Sequence, residues 1–198
     1  FEGIDIEIAY ALAQKLGLEL VVDDMDFDSA LSAVQTGKSD IVAAGVTVTP
    51  ERQNTMCFTD SYANGVQVVI VKEGSDIKSI DDLEGKKIGT QRGTTGYSYC
   101  IDDYGEDSVV AFDDGATAVQ NLLAGKVDCV VIDKAPAQEY VKANAGLTIL
   151  DTEYANENYA IGLGKDNTAL QEALNKALAE LQADGTIQSI IDKYISAK

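Results

Sequence analysis
The chain has 198 residues, a formal net charge of −18 at neutral pH and no histidine. So acidic a surface repels nucleic acid and anionic membranes, and the lack of imidazole removes histidine-based triads and histidine-containing zinc sites. The 45% hydrophobic content is that of a globular protein, and the longest apolar run, Val66–Val71, has the length of a strand, well short of the roughly 20 residues that cross a bilayer.

Taken in chain order, strands and helices alternate. Asp5–Leu16 places Ile8, Leu12 and Leu16 on one helical stripe, with Gly17 as a stop. Leu18–Val22 reads as a strand, Ala30–Thr36 as a short helix closed by Gly37, and Ile41–Gly45 as a buried strand. After Pro50 a helical turn leads to the strand Val66–Val71, and Ser79 with Asp82 resembles a capping box. A second series follows, with strands at Lys87–Gln91, Ser108–Phe112, Val127–Ile132 and Leu147–Leu150. Its helices run through Tyr97, over Ala116–Ala124 and around Pro136. Strand Tyr159–Leu163 and helices Ala169–Gln182 and Ile187–Ile195 close the chain. Alternation of this kind builds mostly parallel sheets covered by helices.

One segment recurs. Gly37-Lys38-Ser39-Asp40-Ile41-Val42 matches Gly125-Lys126-Val127-Asp128-Cys129-Val130, each after an amphipathic helix and each opening a buried strand. Gly-Lys-x-Asp is also a common helix-to-strand turn, but the recurrence of helix, turn and strand in one order favours two similar lobes. Cys57, Cys100 and Cys129 are odd in number and widely spaced, forming neither a metal pattern nor a disulfide framework, and read as buried free thiols.

In open α/β sheets, ligands sit beyond the carboxyl ends of strands. That rule selects Ala44-Gly45-Val46-Thr47-Val48-Thr49-Pro50-Glu51-Arg52, the strand end at Asp133, and the turn Gly93-Thr94-Thr95-Gly96 after Gln91. Arg52 presents a planar fork suited to a carboxylate, and backbone N–H groups near Gly45 and at the Thr94–Thr95 helix start also favour an anion. Asp133 is an acceptor suited to an ammonium. Together these groups fit a zwitterion. Each also has a local reading: a solvated arginine or helix-end partner for Arg52, an N-cap for Asp133, plain caps for Thr94 and Thr95, core packing for Phe27. The turn at Gly93–Gly96 lacks the Gly-x-Gly-x-x-Gly and Gly-Lys-Ser/Thr patterns of nucleotide sites. Asp24-x-Asp26-x-Asp28 opens like a calcium loop, but Ser29 and Gln35 stand where the turn glycine and bidentate glutamate belong. No metal, cofactor or catalytic residue is expected.

These same residues carry a family resemblance. Phe1-Glu2-Gly3-Ile4-Asp5-Ile6, Met25-Asp26-Phe27-Asp28, Gly37-Lys38-Ser39-Asp40, Thr47-Val48-Thr49-Pro50-Glu51-Arg52, Phe58-Thr59-Asp60-Ser61-Tyr62, Gly93-Thr94-Thr95-Gly96 and Leu181-Gln182-Ala183-Asp184-Gly185-Thr186 follow in order over essentially the whole chain. As a set they resemble the polar amino-acid-binding proteins of ABC transporters, bacterial extracellular solute-binding family 3. The resemblance implies a type II periplasmic-binding-protein-like Venus flytrap of class α/β. Lobe 1 would be residues 1–64 plus 164–198 and lobe 2 residues 65–163, joined by hinge strands near Ala63–Val66 and Asn158–Leu163. It implies that Arg52 holds a ligand carboxylate, assisted by the Gly45 and Thr95 N–H groups and the Thr47 hydroxyl, and that Asp133 takes the α-ammonium. Phe27 would line the side-chain pocket, with Gln91 and Thr94 nearby and Ala44 offering its backbone. The implied role is an extracytoplasmic receptor, in the periplasm or as a surface lipoprotein, that closes on a polar L-amino acid and delivers it to a membrane permease. A dehydratase-like enzyme and a sensing domain of a larger receptor are the alternatives on the same scaffold. Family members begin with a further strand and loop ahead of the position of Phe1, so lobe 1 is expected here without its first strand.

Overall fold
The computed structural model describes residues 1–195; residues 196–198, with which lobe 1 was expected to end, lie outside the described residues. The chain forms two compact units, one of Phe1–Met25, Ser29–Asn64 and Asn158–Lys198, the other of Asp26–Asp28 and Gly65–Glu157.

In the first unit, helix α1 (Ile4–Leu16) buries Ile8, Ala9 and Leu12 and ends in a left-handed Gly17. Helix α2 (Phe27–Gln35) leads through Gly37 into strand β1 (Ile41–Thr47). A short helix α3 (Pro50–Gln53) and strand β2 (Met56–Phe58) follow. Both β1 and β2 pair antiparallel with the latter part of strand β8 (Ala155–Gly164), Leu163 standing opposite Ile41 in one ladder and opposite Cys57 in the other. Helices α7 (Thr168–Ala183) and α8 (Thr186–Tyr194) complete the unit. Their apolar stripes, with Leu174, Leu178, Leu181, Ile187 and Ile190, close one core over Ile8, Leu12 and Ile161. Gly162 is a glycine for want of space: a Cβ there would lie 2.4 Å from Met56 Cε and 2.9 Å from Val42 Cγ1.

The second unit is built on a sheet in the order β5-β4-β6-β3-β7. Strands β4 (Ile88–Gln91), β5 (Val109–Phe112) and β6 (Cys129–Asp133) run parallel, and β3 (Ala63–Lys72) adds antiparallel to β6 and to β7 (Leu147–Ile149). Its apolar runs are buried on both faces. One core gathers Val68, Ile70, Val130 and Ile132 with helix α5 (Gly115–Leu123) and helix α6 (Lys134–Ala143); the other gathers Val69, Val71, Val131 and Cys129 with Cys100 of helix α4 (Thr95–Tyr104). Ser79 and Asp82 make the expected capping box on the 3-10 turn Ile80–Leu83.

The structure departs from the sequence reading in strand direction and in two elements. Of the ladders described, those of β4 with β5 and β6 are parallel, whereas β1 and β2 pair antiparallel with β8, and β3 antiparallel with β6 and β7, so the pairing is not mostly parallel. Leu18–Val22 forms no strand; Leu18 and Val21 are 55% and 75% exposed. A strand exists only by pairing, and this extended stretch has no ladder partner among the described residues. Conversely, β2 was not anticipated, because three residues carry too little periodicity to register.

Candidate functional site
The first unit holds the expected groups around Arg52. Strand β1 has a register shift between Val42 and Val46, and within it Gly45 adopts φ +58°. A left-handed residue in a bulge re-aims its backbone: the Gly45 N–H donates to Asp5 Oδ1 of α1 at 3.0 Å. A side chain at Gly45 would also meet the Tyr159 ring at 3.5 Å. Asp5 Oδ1 accepts a second, short bond from the Tyr62 hydroxyl. Burial, reinforced by the Asp5 charge, pushes that phenol well above the usual tyrosine range, so it stays a donor. Asp5 was not among the residues expected in the site, and the N–H expected to meet a ligand carboxylate is the one it holds.

Beyond β1 the chain turns sharply. Thr49 N-caps α3 by accepting the Arg52 N–H at 3.1 Å, and Pro50 takes the first helical position, where its missing N–H costs nothing. This turn carries Arg52 back over its own strand, where Nη1 donates to the Thr47 carbonyl at 2.9 Å. Arg52 is half-buried, Thr47 is buried and Ala44 is exposed. A guanidinium tethered at one nitrogen is oriented in advance for the planar face of a carboxylate.

The second unit holds Gln91, Thr94, Thr95 and Asp133. Because Ile88 pairs in parallel with Cys129, the turn after Gln91 and the strand end at Asp133 emerge at the same edge of the sheet. Thr94 N-caps α4, accepting from Tyr97 N–H at 3.3 Å and donating to Gln91 O at 2.8 Å. Gln91 Nε2 reaches Asp113 O at 3.5 Å. Thr95, buried, is the first residue of α4, so its N–H belongs to the set that helix geometry leaves without an intrahelical acceptor. Asp133 N-caps α6, Oδ1 accepting from Ala135 N–H at 3.0 Å. The capping readings of Thr94 and Asp133 are therefore both realised, and the cap holds the Asp133 carboxylate at the strand end. Phe27 is half-buried at the start of α2.

All three thiols are free. Burial pushes those of Cys100 and Cys129 up to about 12, and raises that of the half-buried Cys57 as well. Among the described residues no group of acidic or cysteine side chains is arranged to hold a metal ion.

Over residues 1–197 the sequence matches the profile of the bacterial extracellular solute-binding proteins, family 3. The chain belongs to that family. Its members are solute-binding receptors rather than enzymes. The chain is 36% identical to the ABC transporter arginine-binding protein 1 of Escherichia coli, covering 97% of this chain and 81% of that protein. It is 32% identical to the L-cystine-binding protein TcyJ of the same organism, covering 98% and 74%. Among solved structures, an ancestral arginine-binding protein bound to glutamine superposes with a TM-score of 0.93 at 41% identity, over 98% of this chain and 88% of that one. Among the described residues no helix is long and apolar enough to cross a membrane.

Proposed function
We propose that this solute-binding protein captures a polar L-α-amino acid in the periplasm, or at the cell surface as a lipoprotein, and hands it to the membrane permease of an ABC importer. What supports the reading is a charged group held beyond a strand in each unit taken by itself: a guanidinium tethered at Arg52 in one and a carboxylate fixed at Asp133 in the other. What arginine, glutamine and cystine share, as ligands named for the relatives, is the α-amino acid moiety itself.

Arg52 takes the α-carboxylate through a two-point hydrogen bond, helped by the Thr47 hydroxyl and by the Thr95 N–H, where the α4 dipole also favours negative charge. Gly45 joins this set by exchanging Asp5 for the ligand. Asp133 takes the α-ammonium. Phe27, Gln91, Thr94 and the Ala44 backbone then meet the amino-acid side chain. Isothermal titration calorimetry of the intact protein against the twenty L-amino acids tests the reading. Micromolar or tighter binding of at least one polar member is expected, whereas heat from none of the twenty would refute it.

A further inference from the structure
The second unit contains a buried polar pair that neither strand pairing nor helix capping requires. Gln67 and Glu157 are each 5% exposed. Gln67 Nε2 donates to Glu157 Oε2 at 3.0 Å, while Glu157 Oε1 is buried with no hydrogen-bond partner among the described residues. Leaving a buried acceptor unmet is unfavourable, and two apolar side chains of the same volume would avoid the cost. Stability alone therefore does not account for the pair.

Its surroundings do. In the β3–β6 ladder Gln67 stands directly opposite Asp133. Gln67 Oε1 lies 2.8 Å from where a Cβ on Gly96 would be, in the first turn of α4 and next to Thr95. A carboxylate only accepts hydrogen bonds, so Glu157 dictates that the NH2 end of the Gln67 amide faces it and the carbonyl end faces α4. That is the favourable sense, because the first turn of a helix presents unpaired N–H groups and the positive end of its dipole. The reverse orientation would aim NH2 at those donors.

We propose that Gln67 is a positioning residue for amino-acid recognition: Glu157 orients its amide, and the carbonyl seats the first turn of α4 closely enough that a side chain at position 96 would have to displace it. This rests on the reading of Thr95 and Asp133 as ligand groups. The ligand touches neither Gln67 nor Glu157; they act through the placement of Thr95.

A double-mutant cycle tests it, using as probe whichever of the twenty L-amino acids binds the wild type most tightly. Gly96→Ala alone is expected to weaken binding by about tenfold or more and to lower Tm, since the new methyl meets Gln67 Oε1. In a Gln67→Ala background the same change is expected to alter affinity by less than about twofold and to raise Tm, because alanine is then simply the better helix former. Glu157→Gln, which keeps an acceptor, should retain more of the affinity than Glu157→Leu, which does not. Equal losses from Gly96→Ala in both backgrounds, or equal affinities of the two Glu157 variants, would overturn the proposal. Asp133→Ala is the control: if that variant binds as the wild type does, the assignment of the ligand groups fails, and the positioning role falls with it. A large loss there with an additive cycle removes the positioning role alone.

Discussion

In the first unit Lys38 N–H donates to Ala33 O at 2.8 Å behind Gly37 at φ +71°; in the second Lys126 N–H donates to Asn121 O at 2.9 Å behind Gly125, also at φ +71°. The two Gly-Lys-x-Asp turns are thus the same local structure, each stopping a helix and launching a strand. The strands differ in their neighbours. β6 lies between β4 and β3, and Asp128 clamps the start of β4 twice, its N–H donating to Lys87 O and its Oδ2 accepting Lys87 N–H, both at 2.8 Å. Asp40, the counterpart at β1, makes no such bond among the described residues, and beside it runs a groove of about 750 Å³ lined by Leu20, Val22, Ile41 and Leu170 among others. A repeated turn sets the backbone of a junction; what the launched strand holds in place depends on what packs beside it. The two groups proposed to bind the ligand show the same division, with a guanidinium tethered to its own strand in one unit and a carboxylate held by the helix it caps in the other.

The hardest test of that division is to remove the first unit's group. Arg52→Ala should weaken amino-acid binding by about 3 kcal/mol or more, since a desolvated carboxylate is left without its partner, while the melting temperature changes little; titration calorimetry with parallel thermal melts would show it. Asp133→Ala should cost about 2–3 kcal/mol in affinity and, unlike Arg52→Ala, about 1 kcal/mol in stability through loss of the α6 cap. If both variants lost stability alike, the contrast between a strand tether and a helix cap would be wrong.

The thiols separate the units by chemistry. Cys100 and Cys129 keep their protons up to about 12, whereas ordinary thiols release theirs near 9.0. The folded state therefore binds more protons than the unfolded one between these values. This stabilisation is complete below about pH 9 and is lost as pH rises toward 12, by about 1.4 kcal/mol per pH unit for each thiol. Urea titrations from about pH 9 to 10 should show the decline, and a Cys100→Ala, Cys129→Ala double variant should lessen it; above about pH 10, phenols kept protonated by burial, such as Tyr62, add a decline that the variant retains. At pH 8 a thiol reagent should label the half-buried Cys57 of the first unit ahead of the two sealed thiols of the second. The smallest expected effect sharpens the comparison most closely: Asp128→Ala should cost about 1 kcal/mol, and Asp40→Ala less than about 0.5 kcal/mol, by chemical denaturation.

Much of this was legible in the sequence because it is local. The Leu170, Leu174, Leu178 and Leu181 stripe, the buried runs of β3 and β6 and the paired Gly-Lys-x-Asp turns follow from periodicity and turn chemistry. Arg52 and Asp133 are the proposed ligand groups because strand ends are where open sheets bind ligands. Long-range pairing left no such trace. Asp5 meets Gly45 across 40 residues and Gln67 meets Glu157 across 90, and nothing in either neighbourhood announces the other. Leu18–Val22 has the composition of a strand, yet composition cannot supply a partner. The local roles of Thr94 and Asp133 as caps were equally readable, and the structure realises both.

The proposed function rests on Arg52 and Asp133 reading the two charges of an α-amino acid. Its most direct test is calorimetric titration of the wild-type protein with its tightest-binding amino acid, beside the des-amino and α-carboxamide analogues of that compound. Each analogue should bind at least about a hundredfold more weakly, near 2.7 kcal/mol, and the des-amino penalty should disappear in Asp133→Ala. An analogue that binds as tightly as the parent would contradict the assignment of the group it lacks.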